Sequence, residues 1–335
     1  MLYEYDLTSA YPCAATLLRD TSQCRFEKSS DYVKDADWGF LKGQVTIYPD
    51  VKVSPIMYWD GQRNICPTGT WDTTLTLQEV MFINKWGIGE FKLRDGWFLT
   101  FKSNNRPLNV IIERLYNHRS SGDLKARLAK SILVGIIGKT AEERFDGKYG
   151  AFFNPFYQSM VQAWTRLQVC EFIYKHKLQD NLVMVLVDCA MVDKPVNIPE
   201  RRGMGTWRES YQGPGLIIST GHAFYGDKRP DGITYDAIMD AIAGHPSKSF
   251  YQIPHMRKTT LGEAVMDGAD FNNLGVISNH PRTLDLNMLN PTRYFNKLPH
   301  TGRQLLSRIY ESTPLEVQEG NNNAETLRTK VQSTT

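Results

Sequence analysis

The sequence predicts an α+β protein. Three observations carry that prediction: a short alternating strand at the N-terminus, a long β-rich stretch punctuated by Gly, Pro, Trp and Thr, and a block of helical periodicity that runs into an uninterrupted apolar strand. With 335 residues, 41% of them hydrophobic, the chain can bury a sizeable core and divide it among two or three subdomains.

Leu2-Tyr3-Glu4-Tyr5-Asp6 alternates apolar and polar residues as a half-buried strand does. Ser9 to Pro12 then turns the chain into apolar Ala14 to Leu18, so Asp6 falls near a strand end. From about Asp20 to Lys102 short strand-like runs dominate, and Thr73 to Trp86 is the one helical pattern among them. Pro107 to Lys139 reads as a helical hairpin: Val110, Ile111 and Leu115 share one face, Ser120-Ser121-Gly122 breaks the pattern, and Leu124 to Ile137 resumes it. Asn154-Pro155 precedes a third helical pattern, Met160 to Tyr174. Leu182 to Val187 is then an apolar strand that ends in Asp188-Cys189. Gly215 to Tyr310 mixes strands with short helices, and the polar, Asn- and Thr-rich tail from Glu311 to Thr335 reads as disordered. No internal repeat is present.

Composition excludes several classes. A formal net charge of +3 is too small to argue for nucleic acid by itself. Cys13, Cys24, Cys66, Cys170 and Cys189 are scattered, without paired spacing, and read as reduced thiols in a cytosol-like compartment. No apolar run reaches the roughly 18 to 20 residues that span a bilayer, and Met1 opens into a strand rather than a signal peptide. A cytoplasmic protein without a membrane partner is expected.

Asp6 and Asp188 each close an apolar strand, the arrangement by which adjacent strands bring two carboxylates together. Transfer of a nucleotidyl group asks for such a pair, because two hard divalent cations must be held by oxygen ligands on rigid supports. Either Asp alone is more often a turn or capping residue. The neighbouring residues decide between these readings.

Asp6-Leu7-Thr8-Ser9-Ala10-Tyr11-Pro12 resembles motif A of family B DNA polymerases, D-x-x-S-x-Y-P, at every specified position. The resemblance implies that Asp6 binds two Mg²⁺ (or Mn²⁺) ions with help from the Leu7 carbonyl, that Ser9 and Tyr11 lie at the nucleotide, and that Tyr11 excludes a 2′-hydroxyl. Lys130 to Lys139 resembles motif B, K-x-x-x-N-S-x-Y-G, and retains Lys130 and Gly138. By that likeness Lys130, with Arg119, Lys125 and Arg127, grips the triphosphate, while Gly138 and Lys139 face nucleic acid; a solvated cationic face is the plainer reading. Val134, Gly135 and Ile137 stand where the motif has Asn, Ser and Tyr, which implies an apolar, smoother pocket wall and relaxed selection of base or sugar.

Met184 to Val192 resembles motif C, Y-x-D-T-D-S with its apolar return strand. One register puts Asp188 on the second, metal-binding Asp and Leu186 where the first belongs; the other puts Ala190 at the ligand position. The first is preferred, because Gln162-Ala163-Trp164-Thr165-Arg166 is similar to the family's segment before motif C. Cys66-Pro67-Thr68-Gly69-Thr70-Trp71 with the later Glu79, and Gly205-Thr206-Trp207-Arg208-Glu209, are similar to further segments of viral and organellar members. Ala223-Phe224-Tyr225 resembles the K-x-Y element that steadies a primer end, with Lys228 as the substitute for the missing Lys.

The resemblance runs from Asp6 to about Tyr225 and is best to the protein-primed polymerases of phages and linear plasmids. It implies a right-hand polymerase core: a palm with an antiparallel sheet (residues 1–19 and 146–214), a palm elaboration at 20–105, helical fingers at 106–145 and a thumb at 215–310, before the tail at 311–335. The stretch between motifs A and B leaves room for the insertion that contacts a terminal protein in those relatives. The interval from Gly138 to Asp188 is short for their second insertion, so processive synthesis on duplex templates is less expected. Five residues precede Asp6, so no proofreading exonuclease domain is expected ahead of it; a separate exonuclease subunit is one way to supply the activity. Expected partners are primer-template DNA, dNTPs and a terminal protein. Two other functions stay open: a degenerate polymerase fold that binds nucleic acid without catalysis, and a template- or primer-independent nucleotidyltransferase.

Overall fold

The computed structural model describes residues 1–119, 124–144, 146–219, 222–226, 233–253, 256–258, 277–279, 281–286, 292–295, 297–307 and 311–317. These fall into two compact units, one of Glu4–Ser210 with Pro314–Thr335, the other of Tyr211–Thr313 with Met1–Tyr3.

In the first unit, β1 (Leu2–Leu7) leads into the short helix α1 (Ala10–Thr16). The β-rich stretch follows as β2 (Cys24–Ser29), β3 (Trp38–Ile47), β4 (Tyr58–Trp59), β5 (Asn64–Ile65), β6 (Thr68–Thr76), helix α2 (Leu77–Trp86) and β7 (Gly89–Phe101). Helices α3 (Asn109–His118), α4 (Leu124–Lys139) and α5 (Pro155–Lys175) come next, then the hairpin β8 (Leu182–Leu186) and β9 (Cys189–Val192), and β10 (Trp207–Gly213). The expected break at Ser120-Ser121-Gly122 lies outside the described residues.

The central strand β3 explains the larger sheet. Leu41, Val45 and Ile47 point one way into the core, while Lys42, Gln44 and Thr46 alternate away from it. Burying each apolar side chain stabilises the fold by about 1.5–3 kcal/mol. β3 pairs antiparallel with β6 and β7, and β7 with β2. A register shift between Lys42 and Gly43 sits where the backbones crowd, since a Cβ on Gly43 would lie 2.2 Å from the Lys92 carbonyl oxygen. Helix α2 covers this sheet through Val80 and Ile83, and α5 adds Leu167 and Cys170 to the same core.

The sequence pattern puts Thr73 to Thr76 in a helix; the structure corrects this. β-branched Thr73, Thr74 and Thr76 extend β6, and Thr76 caps α2 with Glu79 in a reciprocal capping box, so the helix begins at Leu77. Asn154 caps α5, accepting from the Tyr157 backbone N–H at 3.1 Å, with Pro155 opening the helix. A second core joins α1, α3, α4 and α5 through Ala14, Leu18, Ile112, Leu133, Ile137 and Val161. The smaller sheet has the order β10-β1-β9-β8.

The second unit holds β11 (Gly215–Ser219), β12 (His222–Tyr225), α6 (Tyr235–Gly244), β13 (Phe250–Ile253), β14 (Met256–Lys258), β15 (Ile277–Asn279), β16 (Arg282–Asp285), β17 (Arg293–Phe295), α7 (Gly302–Ser307) and β18 (Ser312–Pro314). Its strands form antiparallel pairs, β11 with β12, β13 with β16 and β14 with β15, around a core that includes Phe224, Ile238, Ile242 and Ile253. The tail expected to be disordered from Glu311 is ordered at its start. β18 pairs with β17, and β19 (Glu316–Val317) adds a parallel strand to β6, burying Val317. No helix among the described residues is long and apolar enough to cross a membrane.

Candidate active site

Alternation along β1 sets where Asp6 points. Tyr5 and Leu7 are fully buried on one face, Tyr5 packing 5.5 Å from the Phe172 ring of α5, so Glu4 and Asp6 share the other. β10 repeats the logic: Trp207 stacks on Phe172 at 4.2 Å, which turns the next residue, Arg208, toward the Asp6 face. Arg208 Nε and Nη2 both reach Asp6 Oδ2, each at 2.9 Å.

Asp188 arrives from the opposite neighbour. It follows Val187 in the turn between β8 and β9, and its carbonyl accepts a hydrogen bond from the Leu7 backbone N–H at 3.0 Å. The end of β1 is tied on its other side as well, Thr8 N–H donating to Thr206 O at 3.0 Å and Gly205 N–H to Thr8 O at 2.8 Å. Asp6, Leu7 and Asp188 thus meet at adjoining strand ends. The strand expected over Leu182 to Val187 stops at Leu186, because Val187 takes a left-handed φ of 50° to make the turn. Asp193 lies past the far end of β9, where it holds Asn181 and closes the hairpin.

Ser9 also has a left-handed φ of 50°, and its hydroxyl does not cap α1. It accepts from Arg119 Nη1 at 2.5 Å instead, which brings the last residue of the α3 turn to the motif beginning at Asp6. Among the described residues the non-glycine residues with positive φ are Ser9, Lys177 and Val187, so two of them flank the two carboxylates. Tyr11 is half-buried. Burial raises its hydroxyl pKa, the negative charge of Asp188 raises it further, and Arg166 pulls it back. Burial first, then the charge of Glu4 and a hydrogen bond with it, push the Cys189 thiol up to about 12, and the Asp188 charge adds a smaller push.

Arg166 supports this region from α5. Its Nη2 pairs with Glu79 and its Nε donates to the Pro55 carbonyl at 2.8 Å, joining two segments that the sequence marked separately. Neither this pair nor the Arg208–Asp6 pair was foreseen. The only local signal for the latter is an arginine directly after a tryptophan on a strand.

Lys125, Arg127 and Lys130 lie on the exposed side of α4, away from the buried Ala126, Ala129, Leu133 and Ile137. The expected apolar pocket wall is divided, because Ile137 enters the helical core whereas Val134 is 66% exposed. Gly138 is exposed, and a Cβ there would meet nothing within 4 Å. Lys139 pairs with Glu142. In the second unit Tyr225 is buried, its ring 5.2 Å from that of Tyr211, which places it in packing rather than at the surface. Lys228 lies outside the described residues.

Two carboxylates and a backbone carbonyl are the oxygen donors that Mg²⁺ and Mn²⁺ prefer, so Asp6, Leu7 and Asp188 fit such ions in kind. No cluster of three or more His, Cys, Asp or Glu suited to a metal occurs among the described residues.

No protein-family model matches the sequence, and no curated protein matches it. Among solved structures the chain is similar to Phi29 DNA polymerase. The ternary complex with primer-template DNA and incoming nucleotide substrates gives 12% identity and a TM-score of 0.50 over 85% of this chain and 57% of that one. The post-translocation binary complex gives 11% and 0.47 over 84% and 49%, and the orthorhombic crystal form 12% and 0.46 over 62% and 42%. The chain therefore spans about half the length of the structures it matches. At such identity the likeness is one of fold: the protein has an α+β, polymerase-like fold.

Proposed function

We propose that this chain is a DNA polymerase core of the protein-primed family B type, adding dNTPs to a hydroxyl, with palm, fingers and thumb in the order the sequence implies. The observation that supports the reading most is the hydrogen bond from Leu7 N–H to Asp188 O, which sets the strand end bearing Asp6 beside the turn bearing Asp188. Asp6, the Leu7 carbonyl and Asp188 would hold two divalent cations. When bound, such ions lower the pKa of the attacking hydroxyl and offset charge on the departing pyrophosphate. Arg119, anchored through Ser9, would present its remaining N–H groups to the triphosphate, and Lys130, Arg127 and Lys125 would add charge along the exposed side of α4. Tyr11, held in its neutral form by burial and by Asp188, would pack against the sugar. Primer-template DNA as the partner is proposed from the fold, since the similar ternary structure of Phi29 DNA polymerase is a complex with primer-template DNA and incoming nucleotide substrates.

A second reading, a polymerase fold that binds nucleic acid without catalysis, draws on the ion pair that already engages Asp6 and on Leu186 in place of a second carboxylate. Primer extension with Mg²⁺ or Mn²⁺ on single-stranded, primed and protein-primed templates separates the two. The wild-type chain should extend at least one of these, and Asp6→Asn should lower incorporation by at least about a hundredfold, the scale for removing one transition-state contact. Salt-dependent DNA binding should persist in the variant. Full activity in Asp6→Asn would overturn the assignment, and DNA binding with no extension on any template would favour the second reading.

A further inference from the structure

We propose that Arg208 is a displaceable latch on Asp6, competing with the divalent cation for the carboxylate and giving way when the cation arrives. This rests on the reading of Asp6 as a metal ligand. Both Arg208 nitrogens converge on a single oxygen, Oδ2, and Asp6 is the only partner of Arg208 among the described residues. A divalent cation bound by that carboxylate would face a full positive charge on the same group, and like charges so close repel strongly. The two occupants therefore compete for the carboxylate. The pair is also built to open. The Arg208 side chain is 60% exposed, so solvent screens the attraction and only a modest free energy holds it. Trp207, stacked on Phe172, anchors the strand one residue away, so release needs a change of side-chain rotamer and no movement of β10. The neighbouring Glu209 is engaged elsewhere, accepting from the buried Tyr5 hydroxyl at 3.3 Å, which keeps the alternation of the strand fixed while Arg208 moves.

The latch has a thermodynamic signature independent of catalysis. With a cation bound in its place, Arg208 loses its partner, so the strength of the latch is subtracted from the cation's affinity. Mn²⁺ binding to the full chain, followed by the electron paramagnetic resonance of free Mn²⁺ without nucleotide or DNA, measures it directly. Arg208→Ala should bind Mn²⁺ roughly three- to tenfold tighter, as expected for loss of a competing exposed ion pair and a nearby like charge. Arg208→Lys, which keeps the charge but not the two-nitrogen grip, should fall between the two. Asp6→Asn should weaken binding, and in that background Arg208→Ala should gain nothing from release of the latch. Far-UV circular dichroism checks that each variant is folded, and Arg208→Lys serves if the alanine variant is not. If Asp6→Asn weakens Mn²⁺ binding while both Arg208 variants match the wild type, the latch is wrong and the metal reading stands. If Asp6→Asn leaves Mn²⁺ binding unchanged, the metal reading itself fails and the latch falls with it.

Discussion

Replacing Glu79 with alanine tests how the β-rich stretch is fastened to α5. Glu79 Oε2 accepts from the Thr76 N–H and the Thr76 hydroxyl, each at 2.8 Å, while Oε1 pairs with Arg166. The Glu79 side chain is 6% exposed and that of Arg166 24%. Breaking a fully buried pair costs about 3–5 kcal/mol, and partial exposure of Arg166 reduces that to about 2 kcal/mol. Loss of the capping box adds about 1 kcal/mol. The expected total is about 3 kcal/mol. Trp38, Trp59, Trp71, Trp86, Trp97, Trp164 and Trp207 all fall within Glu4–Ser210, so tryptophan fluorescence during urea unfolding reports on that unit alone. At a urea slope near about 3 kcal/mol/M the midpoint should fall by about 1 M. Arg166→Met removes the same pair, so the double variant should lose about 1–2 kcal/mol less than the sum of the singles. A midpoint shift under about 0.3 M, or strictly additive variants, would refute the coupling.

Two solution properties follow from the buried groups. Alkylation of the folded chain near neutral pH, read by mass spectrometry, should modify exposed Cys66 first and spare Cys170 and Cys189, whose thiols burial holds in the protonated form; equal rates at Cys66 and Cys170 would contradict this packing. Stability should be greatest between about pH 6.5 and 8.5. Above that window the unfolded chain releases protons that folded Cys170, Cys189 and Tyr174 retain, so stability falls as pH rises. Below it the unfolded chain takes up a proton that folded His176 resists, through burial and the Lys175 charge, so stability falls as pH drops. A melting temperature that still climbs above about pH 9.5 would be inconsistent with the raised thiols.

What the sequence made legible was local. The α+β class, the place of Asp6 near the end of β1 and the helical block follow from periodicity, because spacing along one element needs no knowledge of its neighbours. The pairs that organise the site were not legible: Asp6 and Arg208 are 202 residues apart and Glu79 and Arg166 are 87 apart, and nothing in either segment names its partner. Thr73 to Thr76 misled because an amphipathic run with a capping residue inside it looks helical from its first residue. The tie between Ser9 and Arg119 was not legible either, since the two residues lie 110 apart and meet only through the packing of α3. Val134 and Ile137 were read as one surface, which only the packing of α4 divides.

Val187 carries a consequence for anyone who would engineer this protein. It is 64% exposed and gains little from packing, and a β-branched side chain is among the worst choices for its left-handed backbone. Selection for heat tolerance alone would replace it early, with asparagine or glycine, and score each replacement as an improvement. The same turn presents Asp188, so any replacement that relieves this strain also alters the backbone behind that carboxylate. Stability and the placement of Asp188 therefore meet in one residue, and a variant selected for the first has to be assayed for the second.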